Sequence, residues 1–193
     1  MREPNREQSS LLQQDVRASL ARDPGLEQQL AHFLKGRICM LGIGNRYWRD
    51  DGVGSLIAEA LQPCPEFEAI DAGCVPENYL ERVAGKNPDA ILMIDATDFG
   101  GTPGEVRLLE TDNIAQSGLS THAGSMHMLA SYLQARTGAQ IALLAIQPAD
   151  SSAGEDLSLE VSRTALFLEE TLPAIVGASL GRESEIELSI FKL

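Results

Sequence analysis

The chain lacks the features that mark secreted and membrane-spanning proteins. Only three of its 193 residues are cysteine, and an odd number without metal-ligand spacing indicates a reducing compartment rather than a disulfide scaffold. No run of about 18 apolar residues is present, so we expect no membrane insertion. The polar N-terminus has no apolar stretch of the kind found in secretory signals. These absences predict a cytoplasmic protein.

Basic residues are scarce as well. The chain has 15 Lys and Arg against 28 Asp and Glu, for a formal net charge of −13. No basic cluster appears, so we expect no binding to nucleic acid. Residues 1–35 are balanced in charge, and the whole acidic excess therefore lies in 36–193. Such acidity suits solubility, a basic protein partner or a metal ion.

Several common catalytic motifs are also missing. Gly42 and Gly44 would need a third glycine at position 47 to form the dinucleotide-binding fingerprint, but that residue is Tyr47. The chain has no Gly-Lys-Ser/Thr phosphate loop, no His-Glu-x-x-His, no Gly-x-Ser-x-Gly and no Cys-x-x-Cys. These absences disfavour nucleotide-binding, zinc-peptidase, serine-hydrolase and thioredoxin-like sites.

From residue 36 onward, short apolar strands alternate with amphipathic helices. Strands are predicted at 37–43, 66–70, 90–94, 105–109 and 141–146, and helices at 52–62, 77–84, 125–135 and 157–172. Alternation of this kind predicts an α/β fold, a three-layer αβα sandwich around a mostly parallel twisted sheet of about five strands. We assign residues 36–180 to this domain and 181–193 to a C-terminal tail, with strand character from Glu185 to Leu193.

The first 35 residues form a segment apart. Leu26, Leu30, Phe33 and Leu34 recur at helical spacing, and Asp23-Pro24-Gly25 interrupts the segment before them. We interpret residues 1–35 as a helical or partly disordered N-terminal extension. We interpret His32, which lies in this segment, as an ordinary surface or packing residue.

Polar side chains follow the predicted strands at the places where ligands bind in open α/β sheets, outside the strands' carboxyl ends. They are Asp50 and Asp51 after the first strand, Asp71 and Cys74 after the second, Asp95 and Asp98 after the third, and His122 before the helix that begins near 125. Two carboxylates and one imidazole on separate loops suit a divalent transition metal. The sequence therefore predicts a metal site formed by Asp51, Asp95 and His122.

Each of these residues also has a simpler interpretation. Asp51 could cap the helix after Gly52, Asp95 could close a turn, and His122 could be a satisfied histidine at a helix start. We expect His127 to face solvent from the polar side of its helix. Cys74 has no base beside it in the sequence pattern, so we interpret it as a small structural residue.

Taken in order, five segments resemble the [NiFe]-hydrogenase maturation endopeptidases over about residues 37 to 172. The branch that the chain most resembles serves hydrogenases of the formate-hydrogenlyase type. The matching segments are Gly42-Ile43-Gly44-Asn45 with Asp50-Asp51-Gly52-Val53-Gly54, Ile70-Asp71-Ala72-Gly73 with Pro76-Glu77-Asn78, Ile94-Asp95-Ala96-Thr97-Asp98, Ser120-Thr121-His122, and Ile146-Gln147-Pro148.

This resemblance implies a cytoplasmic, monomeric, aspartic-type endopeptidase that removes the C-terminal extension of a [NiFe]-hydrogenase large-subunit precursor after nickel insertion. It implies Asp51, Asp95 and His122 as the catalytic and metal-binding residues. The nickel is supplied by the substrate, whose C-terminal Cys-x-x-Cys motif holds it, and zinc or cadmium could substitute in vitro. Asp50, Asp71 and Asp98 are candidates for supporting those three side chains.

Two other functions remain open at this point. The chain could be a non-catalytic, nickel-dependent checkpoint protein that binds the loaded large subunit without cutting it. It could also be a small-molecule hydrolase or nucleoside-processing enzyme on a similar sheet. A change in the mass of the partner after incubation separates the first of these from a peptidase.

Overall fold

A computed structural model describes residues 25–61, 65, 67–111, 114 and 123–190, with only the backbone at 123 and 179–190. Within these residues, strands and helices alternate along the chain. In order they are α1 (Leu26–Phe33), β1 (Ile38–Ile43), α2 (Val53–Ala60), β2 (Glu68–Gly73), α3 (Leu80–Gly85), β3 (Ala90–Ala96), β4 (Val106–Glu110), α4 (Ala123–Thr137), β5 (Gln140–Ile146) and α5 (Leu159–Ile190). Short 3₁₀ helices at Arg49–Gly52 and Pro76–Tyr79 precede α2 and α3.

The five strands form one sheet in the order β2-β1-β3-β5-β4. All neighbouring pairs are parallel except β4 with β5, which is antiparallel. Parallel strands buried on both faces have nearly continuous apolar sequences, and every residue of β1 is buried. The predicted α/β fold with a mostly parallel five-stranded sheet is confirmed.

Helices cover both faces of the sheet. Met40 and Leu92 project to one face, where they pack with side chains of α1, α2 and α5. Leu41 and Met93 project to the other face, against α3 and α4. The alternation along each strand thus fills two separate cores, which gives the three predicted layers. Among the described residues, no helix is both long and apolar enough to cross a bilayer.

Helix α1 belongs to the main hydrophobic core. Leu26, Leu30 and Leu34 are at most 3% exposed and belong to the hydrophobic cluster on one face of the sheet, where α1 contacts α5 and β4. The helical spacing identified in the sequence is therefore real, but the boundary drawn at residue 36 separates this helix from a core to which it contributes. Residues 1–24 lie outside the described part of the chain, so the rest of the extension stays a prediction.

Helix α5 runs through the predicted boundary at residue 181 and ends at Ile190. The strand character assigned to the segment from Glu185 is therefore wrong as far as Ile190. Pro173 lies inside the helix, where a proline usually ends or kinks it. The apolar face nevertheless continues across it, because Leu168, Leu172 and Val176 are all fully buried at a spacing of four residues. Packing of this face outweighs the local preference to stop.

Candidate active site

Close glycine packing positions the loop between β1 and α2. A Cβ on Gly54, in the first turn of α2, would overlap the carbonyl oxygens of Ile94 and Ile43 near the ends of β3 and β1. Only a glycine lets the helix approach the strand ends this closely. The preceding 3₁₀ turn, which carries Asp50 and Asp51, therefore lies against the carboxyl edge of β3, next to Asp95.

Asp95 is the sixth residue of β3 and is only 6% exposed. Its Oδ2 accepts a hydrogen bond from Thr97 Oγ1 at 3.2 Å. Burial first, and then the negative charge of Asp51 on the neighbouring 3₁₀ turn, raise the pKa of Asp95 to about 8. Without a cation, Asp95 is therefore largely protonated at neutral pH.

Asp51 is half-buried, and its Oδ2 accepts a hydrogen bond from the backbone N–H of Asn45 at 2.9 Å. Gly52 is the residue that precedes α2, and no side chain caps that helix. The simpler interpretation of Asp51 as a helix cap is therefore wrong. Its carboxylate is instead turned back across its own loop, where one oxygen is held by Asn45.

Asp50 differs from Asp51, because it is fully buried and both of its oxygens accept backbone hydrogen bonds. Oδ2 accepts the N–H groups of Ala149 and Asp150 at 2.8 and 2.9 Å, and Oδ1 accepts that of Ser158 at 2.7 Å. Three charge-assisted bonds of this kind fix the loop between β5 and α5 to the loop that carries Asp51. The structure thus assigns Asp50 to joining two loops.

Arg46 joins the loop between β1 and α2 to β2, a role that no motif in the sequence indicated. Its Nη2 lies 2.7 Å from Asp71 Oδ2, and its Nε donates to Ser55 Oγ at 2.7 Å. Ser55 in turn donates to Asp71 Oδ1 at 2.7 Å. Asp71 therefore serves this network. The only sequence signal was the position of Arg46 directly after the Gly-x-Gly-Asn segment.

Asp98 is exposed and belongs to a third loop contact. Gln147 Nε2 donates to Asp98 Oδ1 at 3.0 Å, while Gln147 Oε1 accepts from the N–H groups of Phe99 and Gly101. Gln147 thus ties the loop after β3 to the end of β5. The bonds of Asp98 support this loop rather than the Asp51–Asp95 pair.

His122 lies outside the described residues, so its role as a third ligand stays a prediction. Within the described part of the chain, no three His, Cys, Asp or Glu side chains are grouped as a metal site. The described residues place two of the three predicted residues side by side, Asp51 on a 3₁₀ turn that contacts β3 and Asp95 on β3 itself. Their catalytic and metal-binding roles also stay predictions.

His127 and the cysteines differ from the candidate ligands. His127 was expected to face solvent, but it is half-buried. Its Nδ1 lies 3.2 Å from the carbonyl oxygen of Thr111. Thr111 bonds Ile141 at the start of β5, so this histidine lies toward the amino ends of the parallel strands. Cys74 is exposed, whereas Cys39 is buried, and burial raises the pKa of its thiol to about 12. These observations do not support either cysteine as a catalytic nucleophile.

Comparison with known proteins gives consistent matches. The sequence model of the HycI hydrogenase maturation proteases matches residues 53–173. The hydrogenase 3 maturation protease of Escherichia coli K12 is 36% identical over 112 residues, which are 56% of this chain and 71% of that protein.

Solved structures agree with these sequence matches. The [NiFe] hydrogenase maturation protease HycI of Thermococcus kodakarensis superposes with a TM-score of 0.71 at 31% identity, covering 77% of this chain and 99% of that one. The endopeptidase HycI of E. coli gives a TM-score of 0.64 at 27% identity, covering 72% and 90%. Sequence and structure together establish that this chain belongs to the hydrogenase maturation protease family, in its HycI branch.

Proposed function

We propose that this chain is the endopeptidase that removes the C-terminal extension of a [NiFe]-hydrogenase large-subunit precursor after nickel insertion. Membership of the family supports a peptidase in hydrogenase maturation. Removal of the extension after nickel insertion is supported by the position of Asp51, on a turn packed against β3, beside the buried carboxyl of Asp95 at the carboxyl edge of the sheet. Two carboxyls placed this close repel each other unless one is protonated or a cation lies between them.

This electrostatic arrangement supports recognition of the nickel carried by the precursor. Carboxylate oxygens and an imidazole nitrogen suit divalent transition metals, and His122 is the proposed third ligand. A nickel-loaded precursor would relieve the repulsion between Asp51 and Asp95, whereas a precursor without nickel would leave it in place. The same site would accept zinc or cadmium in vitro.

The residues around the pair support a role in orienting it. Asn45 holds one oxygen of Asp51, and Thr97 holds one oxygen of Asp95. A cation at the pair favours the ionised form of Asp95, so its proton would leave when the loaded precursor binds. A metal ion next to the scissile bond supplies polarisation of the carbonyl group and a lowered pKa of the attacking water.

The test is incubation of the purified protein with nickel-loaded and nickel-free precursor, followed by intact-mass spectrometry. Only the loaded precursor should lose the mass of its C-terminal extension. Asp51→Asn, Asp95→Asn and His122→Ala should each reduce the rate by at least about a hundredfold, in line with losses seen for groups that orient and polarise a reacting bond. Asp98→Asn is the matched control, because this exposed carboxylate bonds Gln147 and its loss should leave most activity.

Other outcomes would identify a different function. Binding of the loaded precursor with no change in its mass would indicate the non-catalytic checkpoint protein. Equal cleavage of both precursors would contradict recognition of nickel. The proposal includes action as a monomer in the cytoplasm, and light scattering after size-exclusion chromatography measures the oligomeric state.

A further inference from the structure

Two large aromatic side chains project from the loop that carries Asp51. Tyr47 is 71% exposed and Trp48 is 50% exposed, and they are adjacent in sequence. They precede Asp51 by four and three positions. Among the residues that the structure describes, neither belongs to a hydrophobic core cluster. Exposed aromatic pairs of this kind are favoured contact residues in protein interfaces.

The backbone of this pair is held firmly. Arg49 N donates to the carbonyl oxygen of Gly154 at 2.8 Å, and Gly154 N donates to that of Tyr47 at 2.9 Å. Trp48 N donates to the carbonyl oxygen of Asn45 at 2.9 Å. The loop after β5 therefore fixes the residues on both sides of Trp48, and the two aromatic rings are presented from a rigid base.

Arg49 adds a local strain to the same loop. Its backbone φ of +43° lies in the left-handed region, which residues other than glycine, asparagine and aspartate rarely adopt. Its Nε lies 3.3 Å from Asp150 Oδ2, next to the backbone N–H that Asp50 holds. Strain of this kind persists only where surrounding contacts over-determine it, and such positions cluster at binding and catalytic sites.

We propose that Tyr47 and Trp48 form a docking surface for the extended C-terminal segment of the large-subunit precursor. This inference rests on the proposed function. A peptide whose scissile bond lies at Asp51 and Asp95 must cross the carboxyl edge, and one extended residue spans roughly 3.3–3.6 Å. Asp51 N donates to the carbonyl oxygen of Trp48 at 3.0 Å, so the aromatic pair is one turn away from Asp51 and within reach of residues a few positions from the bond. Rigid aromatic side chains lose little conformational freedom on contact, which suits them to gripping such a segment.

Steady-state kinetics with nickel-loaded precursor test the surface. Tyr47→Ala and Trp48→Ala should each raise KM about tenfold, the loss typical of an interface anchor, with little change in kcat. Trp48→Phe should restore most of the loss. Met128→Ala is the matched control, because Met128 is 72% exposed on α4, and its KM should not change. A Trp48→Ala variant that folds like the parent and has the kinetics of Met128→Ala overturns the proposal.

A second measurement follows the surface directly, because Trp48 is the only tryptophan in the chain. Incorporation of 5-fluorotryptophan gives a single ¹⁹F resonance. This resonance should shift when excess nickel-loaded precursor is added to the parent protein, and should not shift with a large subunit that lacks its C-terminal extension. A shift that depends on protein concentration alone would show that a second copy of the chain occupies the surface. A shift caused by deletion of residues 1–24 would show that the chain's own N-terminus occupies it. Either result would overturn the proposal.

The two measurements separate this inference from the proposed function. If the unmodified chain does not cleave the precursor, the proposed function fails, and the ¹⁹F resonance of that chain then reports docking without cleavage. If cleavage proceeds while Trp48→Ala leaves KM unchanged and the ¹⁹F resonance does not shift with the loaded precursor, docking fails and the proposed function stands.

Discussion

A carboxyl that is buried beside a second carboxyl is less stable in its ionised form than the same group in water. Asp95 is such a group, since burial and Asp51 both raise its pKa, to about 8. The ionised form of Asp95 is therefore unfavourable in the metal-free protein. A bound cation would stabilise it. The contribution of Asp95 to the stability of the metal-free protein can be measured.

The free energy of unfolding of the metal-free protein should fall as pH rises from about 4 to about 8. In the unfolded chain the carboxyl ionises near its model value of 3.8, whereas in the folded chain it keeps its proton up to about 8. The folded state binds more protons in this window, so raising pH favours unfolding, and the loss is complete above about 8. At about 1.4 kcal/mol per pKa unit the fall is on the order of several kcal/mol.

Urea denaturation of chelator-treated protein at a series of pH values measures this effect. The difference between parent and Asp95→Asn isolates the Asp95–Asp51 pair, because the carboxyls elsewhere in the protein contribute about equally to both proteins. Above pH 8 the Asn variant should be the more stable of the two. Parallel pH curves for the two proteins would show that Asp95 ionises normally.

The two histidines after residue 120 should separate in function. His127→Ala should leave processing nearly unchanged and lower stability by about 1 kcal/mol, because it removes one hydrogen bond to the carbonyl of Thr111. His122→Ala should abolish processing if His122 is the third ligand. Cleavage rates and melting temperatures of the two variants, measured together, test this assignment, and equal loss of activity would mean that the wrong histidine was chosen.

At the scale of elements, the approach of α2 to the sheet decides where Asp51 lies. Gly54→Ala should lower stability by about 1–3 kcal/mol, the usual range for overpacking, and should reduce processing more than stability alone explains. The added methyl group would overlap the carbonyl oxygens of Ile94 and Ile43, so the helix must move away from β3 and carry Asp51 with it.

Gly177→Ala is the matched control for Gly54→Ala. Gly177 lies inside α5, and a Cβ there meets no atom within 4 Å, so alanine should stabilise the helix by about 0.5–1 kcal/mol. Thermal melts, far-UV circular dichroism and processing rates compare the two. A Gly54→Ala protein that is as active as the parent would contradict the role of this close approach.

The strands and their polar ends were predictable from sequence because both depend on local patterns. Continuous apolar runs mark strands buried on two faces, and Asp51 and Asp95 were found because parallel strands end at one edge. The network of Arg46, Ser55 and Asp71 was not predictable, because its residues lie on separate elements and each is common in loops and helices. Only the folded chain brings them together.

Tertiary packing also explains the elements that the sequence pattern misjudged. The apolar stripe of α1 was correctly identified, but its spacing says nothing about which surface it covers. The region of α5 beyond Pro173 was assigned by local preference, whereas burial of Leu172 and Val176 extends the helix. In each case contacts distant in sequence decide the outcome.

At the scale of the whole molecule, α1 packs against α5 and β4 and adds its apolar side chains to the main hydrophobic core. Deleting residues 1–34 should therefore lower stability by several kcal/mol, since full burial of a large apolar side chain contributes about 1.5–3 kcal/mol and Leu26, Leu30 and Leu34 are all buried. Deleting residues 1–24 leaves this cluster intact and is the matched control. Urea melts of the two truncated proteins should differ by that amount, and identical melts would show that α1 adds nothing to the core.

The hydrogen bonds of Asp50 also set an order of events during synthesis. Their three donors follow Asp50 by 99, 100 and 108 residues, so Asp50 leaves the ribosome long before any of them. Contacts of such long separation form only after a large loop has closed. A nascent chain that has reached β3 already carries both Asp51 and Asp95, but the loop of Asp51 is not yet fastened to the rest of the molecule. The protein therefore gains its assembled carboxyl edge only when translation has passed residue 158.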